Sequence, residues 1–122
     1  MKKILVIEDD PSLQKTIVAK LKASGYETLL AGDGEEAIKI FKKDQPILLL
    51  VDLILPKKSG LEVIEEIRIN QHSTVPMIVI SNLDQPQDLE SARRLGVNEY
   101  VVKSNISLRD LVVKVAELTK DL

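Results

Sequence analysis

The sequence predicts an α/β fold, in which a doubly wound, mostly parallel sheet of five strands is covered by helices on both faces. Short aliphatic runs alternate along the chain with segments of helical periodicity, and the connections between them are short. Residues 47–51 are five consecutive aliphatic residues, which is the pattern of a central parallel strand buried on both faces. Such alternation implies right-handed crossovers between parallel strands.

Length and composition predict one globular domain that occupies residues 1–122. Hydrophobic residues make up 44% and charged residues 30% of the 122 residues, and the net charge of −2 gives no indication of nucleic-acid or membrane binding. The chain has no cysteine, which excludes disulfides and thiolate metal sites and fits a reducing compartment. The apolar run at the start is too short for a signal peptide, so we expect a cytoplasmic location.

The first half of the chain predicts three strands and two helices. Residues 3–7 form the first strand, and Asp10 followed by Pro11 is typical of an N-cap and first helical position. The helix that follows has an apolar face and ends before Gly25. Residues 26–30 predict an edge strand. Asp33 and Glu36 have the spacing of a capping box before a second helix, and residues 47–52 form the third strand.

The second half continues the alternation. Ser59 and Glu62 have the spacing of another capping box, before a helix with an apolar stripe. Residues 75–80 predict the fourth strand, residues 84–95 a weakly amphipathic helix, and residues 100–102 a short fifth strand. Ser107 is expected to cap the last helix. His72, in a polar segment, is interpreted as a solvated loop residue, and Lys57, Lys58, Arg93 and Arg94 as surface charges. The arginine pair could instead contact a partner.

Polar residues are concentrated where strands end: Glu8 and Asp9 after the first strand, Asp52 at the end of the third, Ser81 after the fourth and Lys103 after the fifth. An aspartate at the end of a buried strand is, taken alone, more often a cap than a reactive group. If the strand order is 2-1-3-4-5, one of the two common orders of doubly wound folds, the first and third strands are neighbours. The three carboxylates then converge at the carboxyl edge of the sheet.

A cluster of three carboxylates is costly unless a cation occupies it, because like charges repel and burial disfavours the charged form. Oxygen ligands without histidine or cysteine favour Mg²⁺, which binds through few protein ligands and keeps waters for an incoming phosphate. One carboxylate could then act as a nucleophile toward phosphorus and form an acyl phosphate. A lysine ammonium and a serine hydroxyl would neutralise and bind the transferring oxygens.

With these residues in place, the chain resembles the receiver domain of bacterial two-component response regulators over nearly its whole length. The resemblance rests on the acidic pair Glu8 and Asp9, on Asp52-x-x-x-Pro56-x-x-x-Gly60, and on Ser81, Tyr100 and Lys103 at the later strands. It implies a flavodoxin-like (βα)5 fold of strand order 2-1-3-4-5, like that of chemotaxis regulators.

The resemblance also implies a role for each residue. Asp52 would be the phosphoacceptor; Asp9 would bind Mg²⁺ directly, Glu8 mostly through water, and Ile54 through its backbone carbonyl. Ser81 would bind a phosphoryl oxygen and move toward it on activation, and Tyr100 would be the rotameric switch that follows Ser81 inward. Lys103 would pair with the phosphoryl group or, in the resting state, with Asp52. Tyr100 could also be an ordinary edge-strand residue without a function.

The implied function is a phosphorylation-activated switch. A sensor histidine kinase or phosphotransfer protein would phosphorylate Asp52. The surface of the fourth helix, fifth strand and fifth helix would then change, to control an effector protein or an output domain, with homodimerisation through that surface also plausible. The domain would bind neither nucleic acid nor membrane, and would catalyse only transfer to, and slow hydrolysis from, its own aspartate.

Three other functions agree less well with the sequence. A phosphorylation-independent interaction module could keep the same fold, although the complete set of acids, serine and lysine argues against it. A small phosphohydrolase would place its nucleophile after the first strand, as Asp-x-Asp, which the sequence Glu8-Asp9-Asp10-Pro11 does not match. Nucleotide binding lacks the glycine-rich loop after the first strand.

The chain departs from the family pattern at four positions. Ser104 replaces the proline that usually follows the lysine in a cis peptide bond, and we expect a trans bond, because a non-proline cis bond costs about 2.5–4 kcal/mol. Ile54 and Leu83 are aliphatic where a side chain could orient water, which predicts a long-lived aspartyl phosphate; faster phosphate loss in Ile54→Asn or Leu83→Glu would support this. Asn82 replaces a small residue and could restrict bulky phosphodonors.

Overall fold

The computed structural model describes residues 2–82 and 86–122. Its five strands form one parallel sheet of order β2-β1-β3-β4-β5, so the predicted fold class and strand order are confirmed. The strands are β1 (Lys3–Ile7), β2 (Glu27–Ala31), β3 (Leu48–Asp52), β4 (Met77–Ser81) and β5 (Glu99–Val102). The helices are α1 (Pro11–Ala23), α2 (Gly34–Asp44), α3 (Gly60–Glu65), α4 (Pro86–Arg94) and α5 (Leu108–Thr119).

Each face of the sheet carries its own apolar core, because side chains alternate along a strand. In β1, Leu5 and Ile7 pack into the core beneath α2, α3 and α4, whereas Ile4 and Val6 pack into the core beneath α1 and α5. All five residues of β3 are buried, as expected of a strand covered on both sides. The third strand is therefore a rigid support for the residue at its end, Asp52.

Several predicted boundaries were wrong by one or two residues. The second strand begins at Glu27 instead of residue 26, and the fourth begins at Met77 because Pro76 has no N–H to donate to the sheet. The predicted helix 84–95 is observed as Pro86–Arg94, and Asp84 lies outside the described residues. Every helix in the described part of the chain is too short or too polar to be a membrane-spanning segment.

The predicted helix caps occur, with one difference. Asp10 accepts a hydrogen bond from Ser12 N–H and precedes Pro11, and Ser59 and Glu62 form a complete capping box at α3. At α2, Asp33 accepts the Glu36 N–H as expected, but the Glu36 carboxylate accepts from Gly32 N–H. The reciprocal half of this second capping box is therefore wrong by one residue.

The helix after β3 continues beyond α3 as a π-helical segment, Glu66–Asn70, which the apolar spacing did not predict. Arg68 projects from it and donates hydrogen bonds of 2.7–3.2 Å to four carbonyls, those of Ser73, Val75, Leu95 and Gly96. The burial of its guanidinium lowers the pKa of Arg68. One side chain thus joins the π-helical segment to the start of β4 and to the end of α4.

Replacement of Arg68 by methionine is expected to reduce the free energy of unfolding by about 2–4 kcal/mol, because four carbonyls, three of them in partly buried hydrogen bonds, lose a charged donor. Urea titration of the purified variant would measure the loss. Arg94→Met is the matched control: its side chain is 78% exposed and contacts Glu90 at 3.6 Å, so a change of no more than about 0.5 kcal/mol is expected. Equal effects of the two substitutions would contradict the anchoring role of Arg68.

Candidate functional site

The polar residues predicted from strand ends meet at the carboxyl edge of the sheet. They surround a cavity of about 290 Å³, which is lined by Asp9, Asp10, Asp52, Ile54, Ser81, Asn82 and Lys103. β1 and β3 are neighbours in the sheet, so Glu8, which follows β1, lies beside Asp52, which ends β3. The cavity lies at the point where the strand order reverses, which is where open α/β sheets bind ligands.

Asp52 is the last residue of β3 and is only 3% exposed. Its Oδ1 accepts a hydrogen bond of 3.1 Å from the Ile54 N–H, and its Oδ2 lies 2.7 Å from the Lys103 ammonium. The sequence allowed Asp52 to be either a cap or a reactive group, and the structure is consistent with both. One oxygen caps the turn after the strand, and the other faces a cation at the cavity.

Glu8 and Asp9 complete an acidic cluster with Asp52. One carboxylate oxygen from each of the three residues lies within 4.8 Å of the others. Glu8 is fully buried; its Oε2 accepts from Asp10 N–H at 3.0 Å, and Lys103 Nζ lies 3.1 Å from its Oε1. Within the described residues, however, Glu8 Oε1 has no partner with hydrogen-bond geometry. One buried carboxylate oxygen of the cluster, Glu8 Oε1, therefore accepts no hydrogen bond from the described residues.

The electrostatics of the cluster favour a further cation. Burial, together with the charge of Asp52, raises the pKa of Glu8 to about 7, although the Asp10 N–H and Lys103 oppose the shift. Burial lowers the pKa of Lys103, but its hydrogen bonds to Asp52 and Glu8 outweigh this and raise it. Lys103 thus contacts two of the three carboxylates of the cluster, those of Glu8 and Asp52. All ligands are oxygens and one is unsatisfied, so the residues present fit Mg²⁺.

The raised pKa of Glu8 predicts that the metal-free protein loses stability as the pH rises. Between about pH 4.5 and 7 the folded chain keeps the Glu8 proton and the unfolded chain releases it, so the free energy of unfolding falls through this window. We expect a loss of about 2–3 kcal/mol between pH 5 and pH 8 in EDTA, measured by urea unfolding. Glu8→Gln should remove most of this pH dependence. An unchanged pH dependence in that variant would contradict the assignment to Glu8.

Ser81 is buried at the end of β4, where it pairs in register with Val102 of β5. Its Oγ donates a 2.7 Å hydrogen bond to the backbone carbonyl of Asn82. The serine hydroxyl therefore lies at the wall of the cavity, as the strand-end pattern predicts. Its predicted contact with a phosphoryl oxygen stays a prediction.

Tyr100 lies apart from the other predicted residues. Its ring is half-buried in β5 against α4, and its hydroxyl donates a 3.3 Å hydrogen bond to the Leu89 carbonyl. It lines a separate groove of about 380 Å³, together with Pro86, Leu89, Glu90 and Arg93. The switch role of Tyr100 is untested by this arrangement.

The departures from the family pattern can be located in the structure, with one exception. The expected trans bond is confirmed, since all peptide bonds of the described residues are trans, including Lys103–Ser104. Lys103 begins a short 3₁₀ turn, Lys103–Asn105, and the Ser104 N–H donates to Asn82 Oδ1 at 3.0 Å. Ile54 lines the cavity with a side chain that is 60% exposed. Leu83 lies outside the described residues, so its part in the lifetime hypothesis is untested.

Two features of the site were not predicted from the sequence. One is the Ile54 N–H bond to Asp52, which any residue other than proline could make and which leaves no sequence signal. The other is the contact between Asn82 and Ser104, although both positions stood out as departures from the family pattern. Because Asn82 and Ser104 both differ from the family pattern, the sequence did contain a signal that these two residues could be in contact.

Comparison with known proteins gives consistent matches. The family model for the response regulator receiver domain matches residues 4–116. A protein described as probable transcriptional regulator ycf27 from Porphyridium aerugineum is 40% identical over 101 residues, which are 83% of this chain and 41% of that protein. The alkaline phosphatase synthesis transcriptional regulatory protein PhoP of Bacillus subtilis is 35% identical over 102 residues, 84% of this chain and 42% of its own length.

Among solved structures, the response regulator TrrA from Thermotoga maritima, in complex with Mg²⁺-BeF, is 33% identical with a TM-score of 0.84. The match covers 97% of this chain and 99% of that one. The chain therefore matches nearly the full length of that solved chain, whereas it spans less than half the length of these two curated regulators.

Proposed function

The chain belongs to the response regulator receiver domain family of two-component systems, whose members are signalling proteins, and we propose that it is a phosphorylation-activated switch. In this proposal residues 1–122 form one receiver domain, and Asp52 accepts a phosphoryl group from a sensor histidine kinase or a phosphotransfer protein. We further propose a cytoplasmic location, because a chain without cysteine fits a reducing compartment.

One observation carries the proposal: the Asp52 carboxylate is 3% exposed, lies 2.7 Å from the Lys103 ammonium, and shares its cluster with Glu8 and Asp9. A carboxylate used only for folding gains little from two acidic neighbours, which raise the energy of its charged form. The arrangement is explained if the cluster serves to bind a cation and a phosphoryl group. The Mg²⁺-BeF complex of the similar regulator TrrA supports this explanation.

The proposed step is a displacement at phosphorus. An Asp52 carboxylate oxygen forms a bond to phosphorus, while the bond from phosphorus to the donor nitrogen of phosphohistidine, or to the carboxyl oxygen of acetyl phosphate, breaks. The leaving group departs with that electron pair, and an acyl phosphate remains on Asp52. In this step Lys103, whose ammonium pairs with Asp52, would neutralise the negative charge of the incoming phosphoryl group. Ser81, which lines the cavity, would donate a hydrogen bond to a phosphoryl oxygen.

We propose that Glu8, Asp9, Asp52 and the Ile54 backbone carbonyl hold Mg²⁺. Bound there, the ion would neutralise negative charge on the transferring oxygens. The chain itself contributes the arrangement of the acids, since β1 and β3 are neighbouring strands that hold them side by side and Glu8 is fully buried.

The output is proposed to be a change in the surface formed by α4, β5 and α5. A phosphoryl group that binds better to an inward arrangement of Ser81 and Tyr100 would shift the population toward that arrangement. Tyr100 would then give up its hydrogen bond to the Leu89 carbonyl of α4. The receiving partner is an effector protein or an output domain, and a homodimer through the same surface is one form of that output. Neither nucleic acid nor membrane binding is proposed for this domain.

Incubation of the chain with acetyl phosphate and Mg²⁺, followed by intact-protein mass spectrometry, tests the proposal. We expect the addition of one phosphoryl group, prevented by EDTA and removed by hydroxylamine, which cleaves acyl phosphates. A folded chain that takes up no phosphoryl group from acetyl phosphate or from phosphoramidate would contradict the proposal and favour a phosphorylation-independent interaction module.

A further inference from the structure

Two of the four residues that depart from the family pattern, Asn82 and Ser104, are hydrogen-bonded to each other. The backbone N–H of Ser104 donates to Asn82 Oδ1 at 3.0 Å. A proline at position 104 has no N–H to donate, and a small residue at position 82 has no side-chain carbonyl to accept. The contact therefore depends on both departures at once.

The bond lies just beyond the end of the sheet. The last residue pair between β4 and β5 is Ser81 with Val102, and Asn82 and Lys103 are the next residues of each strand. Asn82 also accepts the Ser81 hydroxyl on its backbone carbonyl at 2.7 Å. Asn82 thus connects the end of β4 to the 3₁₀ turn Lys103–Asn105, which contains the active-site lysine.

The position of this turn matters because of what Lys103 contacts. Its ammonium lies 2.7 Å from Asp52 Oδ2 and 3.1 Å from Glu8 Oε1, at the end of a flexible four-carbon side chain that is 24% exposed. A flexible side chain reaches a fixed point reliably only if its backbone is held in place. We propose that Asn82 is a positioning residue: by accepting the Ser104 N–H it fixes the turn and keeps the Lys103 ammonium against Asp52. The inference rests on the proposed function.

The first test compares phosphorylation rates with acetyl phosphate in saturating Mg²⁺. Asn82→Ala removes the acceptor, and we expect a rate about fivefold lower than that of the unmodified chain, the size of effect that one neutral hydrogen bond provides. Ser104→Ala keeps the backbone N–H and is expected to change the rate less than about 1.5-fold. In a Lys103→Ala background, Asn82→Ala should have no further effect, because the two residues act in series.

The second test does not depend on phosphorylation. Reductive methylation with formaldehyde and cyanoborohydride, followed by peptide mass spectrometry, measures how accessible each lysine ammonium is. We expect Lys103 to react several times faster in Asn82→Ala than in the unmodified chain or in Ser104→Ala, while Lys2 and Lys114 react at unchanged rates. A merely destabilised fold would increase the reactivity of the reference lysines as well.

Wild-type rates of phosphorylation and of Lys103 methylation in Asn82→Ala would overturn the inference. So would an equal loss of rate in Ser104→Ala, or a loss that persists in the Lys103→Ala background. If the unmodified chain takes up no phosphoryl group, the proposed function fails, and the methylation rates still decide whether Asn82 positions Lys103.

Discussion

Replacement of Asp52 by asparagine is expected to abolish phosphorylation by acetyl phosphate and Mg²⁺. An amide has no anionic oxygen to form the acyl phosphate, so no slower route through the same residue remains. The substitution also removes one carboxylate of the acidic cluster and the partner of Lys103 at 2.7 Å. Because the Asp52 charge contributes to the raised pKa of Glu8, this pKa should fall in the variant. Intact-protein mass spectrometry after phosphorylation would measure the loss.

Asp10→Asn is the control for this experiment. Asp10 carries the same charge and lies next to the cluster, but it caps α1 by accepting from Ser12 N–H at 2.9 Å and is not one of the three converging acids. Asparagine is as good an N-cap as aspartate, so we expect phosphorylation within about twofold of the original rate. Loss of phosphorylation in both variants, or retention in both, would contradict the assignment of Asp52 as the acceptor.

Gly60→Ala is expected to reduce the free energy of unfolding by about 3 kcal/mol, which is about 10 °C in the midpoint of thermal unfolding. A Cβ atom at position 60 would lie 2.1 Å from the backbone carbonyl oxygen of Asp52 and 2.7 Å from Leu53 Cα. These are backbone atoms, so relief of the contact must displace the end of β3. The phosphorylation rate should therefore fall together with the stability, because Asp52 moves away from Lys103.

Gly32→Ala provides the matched control. The nearest atom to a Cβ at position 32 is Gln14 Nε2 at 3.9 Å, an ordinary contact with the end of a flexible side chain. We expect a change in stability of no more than about 0.5 kcal/mol and an unchanged phosphorylation rate. A Gly60→Ala variant as stable as Gly32→Ala would show that α3 can move away from β3 at little cost, against the close packing described above.

Much of the fold could be predicted because alternation and hydrophobicity are local properties. The strand β3 is five buried residues in a row, and Asp10, Ser59 and Ser107 start helices by a mechanism that operates within three residues. The π-helical segment Glu66–Asn70 could not be predicted, since the apolar stripe of Leu61, Ile64 and Ile67 that runs into it keeps the spacing of an ordinary helix. Its Arg68 donates to carbonyls in two other segments, before β4 and after α4, and backbone acceptors leave no trace in the sequence.

The acidic cluster could also be predicted, because the carboxyl ends of adjacent parallel strands must lie side by side. What could not be predicted are the interactions that depend on side-chain direction. Examples are the unsatisfied buried oxygen of Glu8 and the hydrogen bond of the Tyr100 hydroxyl to α4. The role of Gly60 could be predicted only in part. The resemblance identified Gly60 as a family position, and the structure supplies the physical reason, which is the close approach of Gly60 to the Asp52 carbonyl.

The measurement that tests the central claim most directly is the chemical trapping of the phosphorylated residue. Borohydride reduces an aspartyl phosphate to homoserine, and peptide mass spectrometry locates the modified position. After incubation with acetyl phosphate and Mg²⁺, we predict homoserine at position 52 and unmodified aspartate at positions 9 and 10. Homoserine at another acidic residue, or phosphate uptake with no homoserine at all, would contradict the account.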